Sequence, residues 1–314
     1  MQKELLRRFE AFDIITIAYT IVSGIFILIG SFKLENPQTR ILIRIALIAI
    51  IVVIALFLYN KKNPFLQIVR SFYILPLLIY FFSEGDYINN IFFPDLDKYM
   101  ANFEMTVFSV LPGVWLSNIL DYKWIAEVFS LVYLSFFIVF GYFIIRIYRK
   151  HNAQFGNVVF LFSMTFYMIF LIFLFCPVAG PQYYLVPPDN QIPEGGIVRN
   201  ATYWLLIHFD LPASGFPSIS ALMLCFMIYL GYQNMKSLVK FLLPLALLIL
   251  LSTIYLKIHY AIDVIAGLLS FPALFWLSSR TYDWINNFLD GNVHSLSDLF
   301  YSIPKVYGKH QPRS

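Results

Sequence analysis

Two short polar stretches interrupt long apolar runs in the third quarter of the chain. One is Gly215-Phe216-Pro217-Ser218-Ile219-Ser220; the other runs from Tyr255 to Gly267 and carries Lys257, His259, Tyr260 and Asp263. His259 and Asp263 are four residues apart, the spacing that stacks two side chains on one face of a helix. A carboxylate hydrogen-bonded to one imidazole nitrogen fixes the tautomer and makes the other nitrogen more basic. Such a ring can accept a proton or attack phosphorus. The plainer alternative is a His–Asp pair that satisfies itself between helices.

Around that pair stand groups suited to an anion. Ser218 is a good N-cap, and a helix start offers backbone N–H groups to a phosphate. Gly215 opens the same turn. Gln182 and Tyr183, in the stretch Gly180-Pro181-Gln182-Tyr183-Tyr184, add amide and phenol donors. Lys257 can pair with a phosphate or anchor at the headgroup level. Arg199, the one cation between residues 177 and 214, can reach an anionic headgroup. His208, His259, Asp210 and Asp263 follow no metal-ligand rhythm, so neither a metal nor another cofactor is expected.

The elements that hold these residues are read from composition. Of 314 residues, 60% are hydrophobic and 13% charged, too few charges to cover a water-soluble domain. Apolar runs long enough to cross a bilayer recur at 11–31, 40–60, 66–83, 122–145, 155–176, 216–233, 240–256 and 259–279. The expectation is an all-α polytopic transmembrane helical bundle of about eight spans. Pro76 should kink the third span, Asp13 should sit at the interface, and Arg40 and Arg44 should snorkel. Residues 84–121, with six acids against Lys98, should form one or two helices along the interface, and 200–209 another short surface helix. The chain reads as a single integral membrane domain over 1–314: accessory spans at 1–65, a core at 66–280 and a cytoplasmic tail at 281–314. Cys176 and Cys225 sit in apolar stretches and indicate no disulfide framework.

The net charge of +4 is no nucleic-acid signature, because the cations cluster between spans. Lys3/Arg7/Arg8, Lys61/Lys62, Arg146/Arg149/Lys150 and Lys236/Lys240 fall at alternate ends of the runs. The positive-inside rule then puts both termini in the cytoplasm. It puts 177–184, 215–220 and 255–259 together on the outer side, an inference independent of any motif.

These segments resemble the type-2 phosphatidic acid phosphatase superfamily, in particular the branch of inositol phosphorylceramide synthases and their bacterial relatives. His259, Tyr260, Asp263 and Gly267 are similar to that branch's last motif. Phe216-Pro217-Ser218-Ile219-Ser220 is similar to the middle motif, and Gly180-Pro181-Gln182-Tyr183 to the first. Arg70 with Pro76, and the region from Asp97 to Glu104, also resemble the branch. The likeness covers roughly 66–280. It implies a six-helix phosphatase-like core, a metal-independent mechanism and a bacterial cytoplasmic membrane. It further implies that His259 attacks a lipid phosphoryl group, that Asp263 orients it, and that Ser218 and Lys257 hold the phosphate oxygens.

Two positions depart from the family pattern. Gln182 stands where an arginine is frequent, which removes a fixed cation. Ser220 stands where the family has a histidine that protonates the leaving group, and an alcohol is no general acid near neutral pH. Three readings fit Ser220: an introduced substitution, a rewired site in which His208 supplies the acid, or a homologue that binds lipid phosphate without turnover. The leading functional expectation is a lipid phosphatase acting on a phosphomonoester or diphosphate lipid at the outer face. The alternatives are a lipid phosphotransferase of the inositol phosphorylceramide synthase kind and a non-catalytic lipid-phosphate binder or transporter. Membrane phospholipid is the expected partner; the oligomeric state is not specified.

Overall fold

Helix starts in this chain are set by prolines and caps. Pro37, Pro64, Pro112 and Pro181 each occupy the first turn of a helix, where the missing N–H takes nothing from the ladder. The computed structural model describes residues 5–290 except 151, 188, 190, 192–194 and 210–214. In chain order the helices are α1 (Ala11–Ile29), α2 (Pro37–Phe57), α3 (Pro64–Phe72), α4 (Ile74–Ile88), α5 (Asp97–Phe108), α6 (Pro112–Ile119) and α7 (Lys123–Lys150). Then follow α8 (Asn152–Phe175), α9 (Pro181–Tyr184), α10 (Ile197–Phe209), α11 (Ile219–Asn234), α12 (Lys236–Tyr255) and α13 (Ala261–Leu289).

Seven helical stretches among the described residues are long and apolar enough to cross a membrane. The expected eighth, α11, has 16 residues and falls short of that length. The kink expected from Pro76 is present as a break at Tyr73 between α3 and α4. Pro76 lacks the N–H that would bond the carbonyl four residues back, at Phe72. The acid-rich stretch begins inside α4, which holds Glu84 and Asp86, and continues as α5 and α6; α10 is the short helix expected near 200–209. The last helix runs to Leu289 instead of ending at 279, and 291–314 lie outside the described residues.

The chain divides into two compact units. One comprises Met1–Phe81, Arg146–Met168 and Pro272–Ser314. Its core holds an ionic cluster around Asp13, a residue expected at the interface. Asp13 is fully buried and accepts hydrogen bonds from Arg70 Nη1 at 2.9 Å, Arg70 Nη2 at 2.5 Å, the Glu10 amide at 2.7 Å and the Tyr73 hydroxyl. Arg44 does not snorkel. It is buried, with Nε 3.3 Å from Ser23 Oγ. Gly24 makes the slot, since a Cβ there would meet Arg44 Cδ at 3.0 Å.

The second unit comprises Phe82–Ile145 and Ile169–Phe271 and contains every candidate site residue. Its interior includes the cluster of Ile125, Ala126, Tyr133, Leu206, Tyr255, Leu256 and Ile258, with the Phe129 ring stacked on Tyr255 at 4.5 Å.

Candidate active site

Three segments far apart in sequence are tied together by their own backbones. The Gly215 amide donates to the Val178 carbonyl at 2.8 Å, the Gln182 amide to Lys257 at 2.9 Å, and the Ser218 amide to Asp263 at 3.0 Å. Two glycines allow the close approach. Gly180, at φ 97°, leaves no room for a side chain, because a Cβ would lie 2.6 Å from the Ile258 carbonyl oxygen. At Gly267 a Cβ would lie 2.6 Å from the Ser218 carbonyl oxygen. The convergence inferred from charge and topology is therefore a physical junction of the loop after α8, the turn before α11 and the turn between α12 and α13.

The α12–α13 turn is built from α12's ending. Lys257 has φ 58°, the left-handed region, and its amide bonds the Ile254 carbonyl at 3.0 Å. The Ile258 amide reaches back to Thr253 at 2.9 Å. This pair of reverse bonds is a Schellman ending, which usually has glycine where Lys257 stands. A left-handed non-glycine residue costs about 1–2 kcal/mol. Lys257 thus belongs to the end of α12 and not to an irregular start of α13.

His259 also lies ahead of α13, so the helical stacking assumed for His259 and Asp263 does not hold. Asp263 is in the first turn, and its Oδ2 accepts the Tyr260 amide at 2.7 Å, as a first-turn acid does when it reaches back to cap. Turn geometry still brings the pair together: His259 Nδ1 is 4.0 Å from Asp263 Oδ2. That is too long for a hydrogen bond. Both groups are buried, and neither His259 Nδ1 nor Asp263 Oδ1 has a hydrogen-bond partner. Burial pushes the imidazole down to about 4, against a backbone hydrogen bond with Gly215 that favours its charged form. The ring is therefore neutral at neutral pH, and it sits beside the turn that carries Pro217 and Ser218.

Ser218 caps α11: its Oγ accepts the Ala221 amide at 3.4 Å and lies 3.0 Å from Ser220 Oγ. Both serines are buried. Gly215 is buried against Val178. Lys257 is buried, its Nζ donates to the Gln191 carbonyl, and burial lowers its pKa to about 8 with Asp189 opposing. Gln182 enters the junction through its backbone. Tyr183 is exposed, its hydroxyl 3.5 Å from the Leu206 carbonyl. The Arg199 guanidinium lies 5.0 Å over the Tyr203 ring with Nε unpartnered, and burial lowers its pKa. His208 is exposed, stacked on Trp204 with Nδ1 2.8 Å from that residue's carbonyl, so its contacts stay on its own helix. Asp210 lies outside the described residues.

The sequence reading gave no roles to the carboxylates of α5. Asp97 is buried and accepts the Ala179 amide at 2.8 Å, the Gly180 amide at 2.9 Å and the Tyr260 hydroxyl at 3.2 Å. It joins the loop after α8 to the turn before α13. Glu104, also buried, accepts the Ile262 amide at 3.2 Å and holds the start of α13. Burial raises both carboxyls, Glu104 to about 7, while the backbone donors oppose the rise. The available signal was their spacing: seven residues, two helical turns, puts both on one face of the helix expected there. Glu127 does similar work for α10, accepting the Val198 amide at 3.0 Å and the Arg199 amide at 3.1 Å.

Among the described residues no three His, Cys, Asp or Glu side chains gather so as to hold a metal ion. The fold and the junction together define an α-helical integral membrane protein with a polar, histidine-centred site where its helix ends meet. Residues 105–277 match the model of the PAP2 superfamily, which is more than half of the chain, and the chain belongs to that superfamily. The matched span holds every candidate site residue and begins just past Asp97 and Glu104. No curated protein and no solved structure matches the chain.

Proposed function

We propose that this protein is a membrane lipid phosphatase that hydrolyses a phosphomonoester or diphosphate lipid through a phosphohistidine at His259. The observation that carries the reading is the buried, neutral imidazole whose unpartnered Nδ1 faces Asp263 across 4.0 Å. A closure of about 1 Å completes that hydrogen bond, and catalytic hydrogen bonds are often long until substrate binds. With Nδ1 protonated and bonded to Asp263, the other ring nitrogen, released from the Gly215 backbone that it meets at rest, attacks phosphorus. The Ser218 hydroxyl, the first-turn amides of α11, the Lys257 ammonium and the Gln182–Tyr183 segment hold the phosphate oxygens as charge develops. Arg199 meets the anionic headgroup. Water then releases phosphate.

The alternation of cationic loops supports a site on the outer face and termini in the cytoplasm, a topology that requires the 16-residue α11 to cross as an eighth span. A transfer reaction in the manner of inositol phosphorylceramide synthases draws support from the His259-Tyr260-Asp263-Gly267 pattern and from the 7% exposure of His259, which limits water. In that case a lipid hydroxyl takes the place of water.

The test incubates purified protein in detergent with mass-tagged lipid phosphates and follows free phosphate against new phospholipid. Free phosphate is expected, and its loss in His259→Ala with helicity intact. Turnover unchanged in that variant refutes the nucleophile. A new phospholipid as the sole product selects transfer, and binding without turnover selects a lipid-phosphate binder.

A further inference from the structure

The helix α5 is turned inside out for one that faces water. Asp97, Ala101 and Glu104 share its buried face, while Tyr99, Phe103 and Val107, at four-residue steps, are exposed. A helix against water does the reverse, with its acids out and its apolar residues in. The inward face of α5 meets all three segments of the site. Ala101 belongs to one buried cluster with Val178, Tyr260 and Ile262, and Phe216 packs against that cluster. Asp97 holds the Ala179 and Gly180 amides, and Glu104 holds the Ile262 amide. Just ahead of the helix, the Leu96 amide donates to the Pro177 carbonyl at 2.8 Å.

The neighbours of α5 fix its depth. With 12 residues it is too short to cross a bilayer. The next helix, α6, packs on the last turn of α12, where a Cβ on Gly113 would lie 2.9 Å from the Ile254 carbonyl oxygen. α12 is long and apolar enough to span, and it ends at Tyr255. α5 itself packs on the opening residues of α13. Both short helices therefore lie at the level where one span ends and the next begins, which is the membrane surface. Trp115 of α6 and Trp124, at the start of the long apolar α7, are exposed as well, and tryptophan favours the headgroup level.

We infer that α5 is a membrane-seated clamp: its Tyr99–Phe103 stripe sits in the lipid surface, and that seating fixes the site's geometry through Asp97 and Glu104 as positioning residues. The occupant of the exposed face is lipid, not a protein partner or a second copy. Lipid around the stripe removes apolar surface from water and holds the helix down. The carboxylates on its other face then hold the loop after α8 and the start of α13 in register. The kinetic consequence rests on the phosphatase reading; the seating and the clamping do not.

The experiment uses the full-length protein in phospholipid nanodiscs. A nitroxide is attached at Phe103→Cys in a Cys176→Ser, Cys225→Ser background, and its collisions with oxygen and with an aqueous nickel chelate give its depth. Headgroup depth is expected. A label as open to the chelate as one in bulk water overturns the seating, and so does dipolar broadening between labelled copies. Hydrogen exchange is then compared between wild type and Tyr99→Ser/Phe103→Ser. Exchange at residues 179–180 and 261–262 should rise by about tenfold or more in the variant. The Val198 and Arg199 amides, held by Glu127 of α7, are the control and should not change. No rise, or an equal rise at the control amides, overturns the clamp. Phe103→Ser alone repeats the comparison if the double variant does not fold. With para-nitrophenyl phosphate, a soluble probe that needs no entry from lipid, the variant should lose about tenfold in kcat at constant KM. A kcat that holds while exchange rises overturns the positioning role. Phosphate release that survives His259→Ala overturns the phosphatase reading and leaves the depth and exchange results standing.

Discussion

Replacing Gly267 with alanine sets helix propensity against packing. Gly267 lies within α13, and a glycine-to-alanine change inside a helix ordinarily stabilises by about 1 kcal/mol. Here the added Cβ would lie 2.6 Å from the Ser218 carbonyl oxygen and 3.0 Å from Ala221 Cβ. The first contact is with backbone, and that backbone is anchored. The Ser218 amide donates to Asp263 at 3.0 Å and its carbonyl accepts the Leu222 amide at 3.2 Å. Overpacking of this kind costs about 1–3 kcal/mol, which cancels or outweighs the propensity gain. Gly141, in α7, is the control, since a Cβ there meets nothing within 4 Å. Thermal unfolding in detergent should therefore rise for Gly141→Ala and stay level or fall for Gly267→Ala. On the phosphatase reading, phosphate release should drop by up to about 100-fold in Gly267→Ala alone, because the α11 turn is pushed from His259. A Gly267→Ala protein as stable as Gly141→Ala, or one within twofold of wild-type turnover, refutes the argument.

Three further outcomes follow from the junction. Asp97→Ala strands the Ala179 and Gly180 amides and should lower stability in a detergent melt by about 1–3 kcal/mol for each amide that water does not recover. Lys257→Gly relieves a left-handed backbone at φ 58° but removes a buried side chain and its bond to the Gln191 carbonyl, so the melting temperature should not rise, while protection by inorganic phosphate weakens through loss of the ammonium. The Glu104 carboxyl is raised to about 7, so the folded state holds a proton that the unfolded chain has lost. Wild-type stability should then fall as pH rises from about 4.5 to about 7, and Glu104→Gln should remove that slope in pH-dependent unfolding.

Much of the architecture was legible because a bilayer imposes a length and a polarity on whatever crosses it. The seven long helices follow from apolar runs, and the α3–α4 break from Pro76. What escaped was local. Helix starts at Pro37 and Pro64 were set a few residues late, because apolar windows do not register an initial proline. His259 was put on a helix because four-residue spacing suits one, whereas the Schellman ending around Lys257 consumes the residues that would have begun it. Ser218 as cap was readable from type and place, whereas the close approach at Gly267 shows only once the Ser218 carbonyl is seen against it. The bonds of Asp97 and Glu104 were not, since a carboxylate's partners here are backbone amides, which carry no letter in the sequence.

The Asp13–Arg70–Tyr73 cluster bears on how the chain is made. Asp13 and Arg70 are 57 residues apart, yet each is the other's counter-charge in the finished fold. A translocating α1 reaches the lipid before its guanidinium partner has been synthesised, and an unpaired carboxylate at depth is costly. The first helical hairpin therefore carries this carboxylate without its counter-charge until α3 has been made. An Arg70→Ala variant should show a loss of correctly inserted protein, read by protease protection of membrane vesicles, before any defect in chemistry.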